Sequence, residues 1–448
     1  MANFPSRPLP SEEELKRFFV GKDVGDVPKP SIVLDLNIIK KHCTTMLQTT
    51  KSLEVGFRAH VKTHKTRQLA NLQVGDEGDA NFVASTVPEI EALVPLLKAI
   101  QQAGRRINIL YGIPLVPSQI PRLADLARKL GKDSISVMID HPDQVEHLKQ
   151  FAPIASYPAC VFVKVDAGYH RAGLPPTALN KDGMLEKLAE AEKSGHANLL
   201  GVYSHNSLSY GGASPAEAMT YLTSEIASCR KALEHNSSLL PQDRKLVISV
   251  GATPQVVSSQ NLLHESQGCP EAETLKALLR DLHESTKVEL HAGVYPVLDM
   301  QQLSTNAVLQ RGKAEEEIAI SVVAEVCSLY NDGERSKPEV LVAAGTLALG
   351  REPCPSYRGW GVVSPWRRDE SSGLLIVERI SQEHGIVSWE MGKAQNTTIP
   401  LQVGQPVRIY PNHACITGAL YGWYLIVDSS QDPDSARIVD VWMRTAGW

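Results

Sequence analysis

The chain has 448 residues, 43% hydrophobic and 21% charged, with a formal net charge of -5 at pH 7. That length implies two domains at ~100–200 residues each, and the mild acidity, with no long Lys/Arg run, argues against a nucleic-acid partner. Seven cysteines contain no CxxC pair, which suggests reduced thiols in a cytoplasmic setting, and no run reaches the ~18 apolar residues of a membrane span, so no membrane partner is expected.

The first residues, MANFPSRPLPSEEELKRFF, lack the apolar core of a secretory signal. SIVLDL (31–36) reads as a strand. From there a repeating texture begins, with strands VGFRAHVK (55–62), NFVAST (81–86), INILYG (107–112), SISVMID (134–140), ACVFVKVD (159–166), NLLGVYSH (198–205), KLVISVGA (245–252) and VELHAGVY (288–295). Amphipathic segments such as VPEIEALVPLLKAIQQAG and LEKLAEAEKSG separate them, the second ending in Gly after a basic turn, as helix stops do. Strands alternating with helices pair in parallel through right-handed crossovers. Eight such units fit a (β/α)8 TIM-type barrel, whose usual size is about 250 residues; alternation alone also admits a doubly wound open sheet. Beyond residue 306, IAISVVAEVCSLY, PEVLVAAGTLAL, GLLIVERIS, GIVSWE, PVRIYPNHACIT, YGWYLIV and RIVDVWMRTAGW are strand-like runs with little helical periodicity. The expected fold is therefore α/β: an N-terminal barrel over residues 37–305, and an all-β domain over 306–448 onto which residues 1–36 pack.

In a barrel, reactive groups gather at the C-terminal ends of the strands. Those ends carry Lys62, Thr63, His64 and Lys65, then Asp166 to Arg171, then Tyr203, Ser204 and His205, then Gly251, Ala252 and Thr253, then Gly293, Val294 and Tyr295. Lys62 closes its strand inside a cationic cluster, RAHVKTHKT, and clustered cations favour the uncharged amine that attacks an aldehyde. The plainer interpretation is a solvated basic rim that binds phosphate. SVGATP and HAGVYP end strands seven and eight with Gly, where barrels often bind phosphate through accessible backbone N–H groups; ordinary turn glycine is the alternative. In PNHACIT, His413 and Cys415 are spaced i, i+2, so an extended strand would point both to one side, an imidazole–thiolate pair suited to Zn2+. A buried Cys beside a satisfied His is the other explanation.

RAHVKTHKT, KVDAGYHRAGL, GVYSHNSLSYG, SVGATP, ELHAGVYPVLD, SQEHG and PNHACIT, in that order, resemble the successive blocks of the D-threonine aldolase and eukaryotic D-serine dehydratase family, which has the alanine-racemase fold. The resemblance runs from about residue 30 to the C-terminus. It implies a barrel holding pyridoxal 5'-phosphate, a C-terminal β domain, a small D-amino acid substrate and a homodimer. It assigns the Schiff-base role to Lys62 rather than Lys65, cofactor contacts to Arg171, Tyr203 and Tyr210, and the phosphate segments to Gly251, Thr253, Gly293 and Val294. It makes His413 and Cys415 a zinc pair. Two blocks depart from the pattern: SHNSLSYGG has Asn206 and Ser207 where a Gly is expected, and AAGTLALGRE has Ala344 before Gly345 in place of Asp-Ala-Gly.

The activity so implied is zinc-dependent β-elimination on D-serine, giving pyruvate and ammonia, with Lys62 as base for the Cα proton and the metal on the β-hydroxyl. Retro-aldol cleavage of D-threonine and dehydration of D-threo-3-hydroxyaspartate use nearly the same parts. A racemase has no use for zinc, and a pyridoxal-phosphate homeostasis protein has no need of residues 306–448. A catalytically dead paralogue would keep the same motif set.

Overall fold

Strands of a parallel sheet are covered on both faces and so read as near-continuous apolar runs. ISVMI (135–139) and ACVFVK (159–164) are such runs, buried at every position. The computed structural model describes residues 10–263, 269–309, 311–364, 373–390, 398–432, 434 and 436–447. The first nine residues of the polar N-terminal segment and the closing Trp448 lie outside them. The chain divides into two compact units, one from the described residues of 43–293 and 305–309, the other from those of 1–42, 294–304 and 310–447.

The first unit is the expected closed parallel barrel. Its strands, numbered from β2 because β1 (Ser31–Asp35) belongs to the second unit, are β2 (Gly56–His60), β3 (Ala80–Ala84), β4 (Ile107–Pro114), β5 (Ile135–Ile139), β6 (Ala159–Lys164), β7 (Ala197–Tyr203), β8 (Val247–Val250) and β9 (Lys287–Ala292). They pair in chain order, and β9 returns to β2. At that closing seam Arg58 Nε lies 2.6 Å from Glu289 Oε1, while Nη1 donates to Asn108 Oδ1 at 2.7 Å, so the buried cation is fully engaged. Above this polar layer Val83, Leu110, Met138, Phe162 and Tyr203, from five successive strands, fill the interior as packed side chains. Helices between the strands end where chemistry dictates. The helix Met184–Lys193 stops after a basic last turn, with Gly195 beyond it at φ +73°.

The second unit is a nine-stranded sheet, ordered β11-β14-β13-β12-β15-β10-β1-β16-β17. Its further strands are β10 (Ile320–Tyr330), β11 (Glu339–Val342), β12 (Val362–Val363), β13 (Leu375–Ile380), β14 (Gly385–Trp389), β15 (Pro406–Tyr410), β16 (Trp423–Val427) and β17 (Asp440–Met443). β11 also pairs with β10, so six strands close a ring around Val322, Val340, Val377, Val387, Trp389 and Ile409. β1 runs antiparallel to β10 and parallel to β16. Two segments with strand-like composition are not strands: Thr346–Leu349 within AAGTLAL and Ala414–Ala419 within NHACITGA are short helices. Among the described residues no helix is long and apolar enough to cross a membrane.

In this unit Glu317 accepts from Lys41 at 3.2 Å and faces His42 Nε2 at 3.3 Å. Burial alone would push this carboxyl up, but His42 and Lys41 together hold it down at about 2, from 4.5. A carboxylate with a depressed folded pKa contributes stability that is complete above about pH 4.5 and is lost as pH falls through about 2. Glu317→Gln is therefore expected to remove up to about 3 kcal/mol near neutral pH and to flatten the acid limb of the stability curve. Denaturant midpoints measured from pH 6 to pH 2 check this, and a variant with the parent's acid limb would count against it.

Candidate functional site

Lys62 stands two residues past the end of β2, half-buried, between the buried Val61 and Thr63. The turn that follows is tightly determined. Lys65 takes φ +52°, and its N–H reaches the Val61 carbonyl at 2.8 Å. The Thr66 N–H donates to His64 Nδ1 at 3.0 Å, so that ring carries its proton on Nε2 and donates to Gln73 Oε1 at 2.9 Å. Thr66 then caps the helix Arg67–Val74 through Leu69 N–H. The two lysines of this turn differ in one decisive respect. Lys65 is ion-paired with the buried Glu89 at 3.0 Å, whereas Lys62 forms no ion pair among the described residues.

Around Lys62 the barrel assembles a buried aromatic cluster that the sequence reading did not single out. His60, His205 and His291 come from β2, from just past β7 and from β9, with ring centroids 5.0–6.1 Å apart. Tyr203 stacks on His291 at 4.3 Å with 2° between the planes, and its hydroxyl lies 3.1 Å from His60 Nε2. Burial drives all three imidazoles well below their usual range; Lys62, Arg58 and Arg171 add to this at His60, and Arg171 and Lys62 at His205. The rings are thus neutral, and their tautomers follow from their partners. His205 Nδ1 donates to the Gly251 carbonyl at 2.6 Å. Ser249 gives its proton to Glu289 Oε1, so His291 Nδ1 donates to Ser249 Oγ, leaving His291 Nε2 buried with no partner. Lys164, 5.3 Å from the Tyr203 ring centroid, is pulled down to about 8 by burial.

The other expected cofactor residues fall at this same end of the barrel. Arg171 is exposed, 5.8 Å from the Tyr169 ring, and acts electrostatically on His60, His205 and Tyr203. Tyr210 is half-buried in the turn Ser207–Gly211, which Asn206 caps by accepting the Leu208 N–H at 3.0 Å. The Asn206 departure is therefore spent on turn geometry. Gly251 follows β8 at φ +146°; a Cβ there would meet the His291 carbonyl at 2.3 Å. Thr253 starts the helix Thr253–Val257, and its Oγ1 accepts the Gly293 N–H at 3.4 Å, joining the two Gly-bearing loops. A Cβ on Gly293 would meet His60 Cβ at 2.8 Å. Val294, one peptide further on, is buried and begins the segment assigned to the second unit. An amine that forms no ion pair among the described residues, beside a buried imidazole nitrogen with no partner, fits an aldehyde-bearing cofactor.

The second unit carries His413 and Cys415, and here the structure corrects the expected geometry. The pair does not share one side of an extended strand. β15 ends at Tyr410, Pro411 and Asn412 turn the chain, and His413 (φ -139°, ψ 101°) sits at the N-cap of the helix Ala414–Ala419, with Cys415 inside its first turn. The His413 side chain makes no capping bond, and its Nδ1 is buried without a partner. Asn412 is pinned by donating to the carbonyls of Glu352 (2.9 Å) and Gly359 (2.8 Å) while accepting from the Tyr357 hydroxyl. Cys415 is half-buried, within electrostatic reach of Tyr424. Burial pushes Asp299 up to about 6, and His413 opposes that shift. An unpartnered imidazole nitrogen two residues from a thiol is a donor set that fits Zn2+, and two protein donors leave positions for water or substrate. Among the described residues no group of three or more His, Cys, Asp or Glu is arranged around one metal position.

Two family models match the chain: "Alanine racemase, N-terminal domain" over residues 34–266 and "Putative serine dehydratase domain" over residues 319–427. The chain is 36% identical to a D-serine dehydratase of Schizosaccharomyces pombe over 443 residues, 98% of this chain and 96% of that protein. It is 31% identical to a D-serine dehydratase of Saccharomyces cerevisiae, covering 96% of this chain and 98% of that protein. The solved D-threo-3-hydroxyaspartate dehydratase from Delftia sp. HT23 superposes with a TM-score of 0.72 at 25% identity, over 95% of this chain and all of that one.

Proposed function

The chain belongs to the D-serine dehydratase family, with an alanine racemase-type N-terminal domain, and from that premise we propose that it is a lyase converting D-serine to pyruvate and ammonia with pyridoxal 5'-phosphate and Zn2+. The structural observation that carries the reading is Lys62: a half-buried amine at a barrel strand end, with no ion pair among the described residues, against neutral imidazoles. The substrate is read from the similarity to D-serine dehydratases along nearly the whole chain.

Lys62 would hold the cofactor, which would supply an electron sink for the pair left when a bond at the substrate Cα breaks. His413 and Cys415 would hold Zn2+, which would supply a Lewis acid for the β-hydroxyl, a poor leaving group by itself. The chain's own residues do the rest. Lys62 Nζ takes the Cα proton. Tyr203, held by its stacking on His291 and its contact with His60, would give the cofactor a rigid wall, with Arg171 and Tyr210 at the rim. The loops of Gly251, Thr253 and Gly293, the last two joined by the Gly293 N–H to Thr253 Oγ1 bond, would hold the phosphate. The buried, neutral histidines place no competing imidazolium beside Lys62. In the net reaction, water is lost in the elimination and regained in hydrolysis, leaving pyruvate and ammonia.

Purified holoenzyme offered D-serine is expected to release keto acid, to lose that activity to a chelator and to regain it with Zn2+. Glycine and acetaldehyde from D-threonine, without keto acid from D-serine, would instead make the protein an aldolase.

A further inference from the structure

We propose that Asp299 is the positioning residue for the His413–Cys415 metal pair, an inference that rests on the zinc reading above. Asp299 is 1% exposed, and each carboxylate oxygen is used. Oδ1 accepts the Gln302 N–H at 2.8 Å and, with the Asp299 carbonyl accepting Leu303 N–H at 3.0 Å, starts the helix Met300–Ser304. Oδ2 accepts the Ala414 N–H at 2.8 Å, the amide that stands between the two metal-binding side chains. The flanking peptides reinforce this tie: Met300 N–H donates to the Pro411 carbonyl at 3.1 Å and Gln301 N–H to that of Asn412 at 3.2 Å. Residues 299–301 thus form a strap along 411–414.

The strap answers a problem of helix ends. The first N–H groups of a helix need acceptors, and the N-cap side chain is the usual supplier. Here the N-cap is His413, which makes no such bond. Asp299, 115 residues distant in sequence, supplies the acceptor for the first of these amides, the Ala414 N–H. The imidazole makes no capping bond of its own, and its Nδ1 is left unpartnered. The relative direction of the two donors turns on the Ala414 peptide, because His413 is extended and Cys415 is helical. A carboxylate gripping that peptide sets the angle at which imidazole and thiolate meet a metal. Groups that orient metal ligands from behind typically govern about 10–100-fold in metal affinity.

Asp299→Asn removes one of the two acceptors and puts an amide donor in its place. Zinc affinity of the purified holoenzyme, measured by competition with a chromophoric chelator, is expected to fall about 10–100-fold. The thiolate charge-transfer bands of the cobalt-substituted protein are expected to shift, while borohydride still fixes the cofactor on Lys62. Asp299→Glu keeps both acceptors one methylene further out and serves where the Asn variant does not fold; its expected result is the same spectral shift with a smaller loss of affinity. Wild-type affinity and an unshifted cobalt spectrum in a folded variant would overturn this inference alone. Absence of zinc from the wild-type protein would overturn the zinc reading together with it.

Discussion

Lys62→Ala is expected to abolish borohydride-fixed cofactor on the chain and to lower kcat for D-serine by about 10⁴-fold or more. In the proposed reaction one side chain carries two roles, the covalent anchor and the base for the Cα proton, and a positioned base by itself contributes roughly 10²–10⁴-fold. The neighbouring amine cannot take over. Lys65 lies beyond a left-handed turn and is committed to Glu89 at 3.0 Å, a partner buried to 1% exposure. Separating that pair to free Lys65 would leave a buried carboxylate without its counter-ion, which is strongly destabilising. The contrasting variant Lys65→Ala is expected to keep cofactor on Lys62 while losing thermal stability. Peptide mapping after borohydride reduction distinguishes the two, and cofactor fixed on Lys65 in the wild-type protein would reverse the assignment.

Cys415→Ala is expected to remove zinc and to lower elimination by roughly 10²–10⁴-fold, the equivalent of several kcal/mol of leaving-group stabilisation. Cys415 sits in the first turn of the helix Ala414–Ala419, where alanine is an excellent helix former, so the local backbone should persist. The barrel site lies in the other compact unit, and cofactor fixation on Lys62 should survive. Metal content, keto-acid release and borohydride fixation measured on one preparation separate a metal defect from a cofactor defect. Full activity in a zinc-free Cys415→Ala protein would remove the metal from the reaction.

Much of the barrel was legible because its strands are buried on both faces. A run such as ACVFVK needs no knowledge of its neighbours to be read as a strand, and Lys62, Tyr203, Gly251 and Gly293 mark strand ends by their place in the apolar pattern. The histidine cluster was hidden for the opposite reason. His60, His205 and His291 each stand in a block that had been noticed, yet nothing local joins residues so far apart, and only closure of β9 onto β2 brings their rings within 6.1 Å. A signal was available: each is a histidine at the end of a barrel strand, where inward-facing groups converge. The His413–Cys415 pair misled in a different way. An i, i+2 spacing on a strand puts two side chains on one side, but two residues at a helix start have no such rule, and the sequence of NHACITG carries both options.

What the sequence determined by itself was the barrel-plus-β architecture and the family, because these depend on periodic burial and on short contiguous blocks. Only the tertiary structure decided which lysine is uncommitted, which imidazoles are neutral and how His413 and Cys415 are aimed. Each of those depends on a partner remote in sequence: Glu89 for Lys65, the closed barrel for the histidines, Asp299 for the Ala414 peptide. Desolvation and hydrogen-bond satisfaction act on neighbours in space, and chain position carries no record of them.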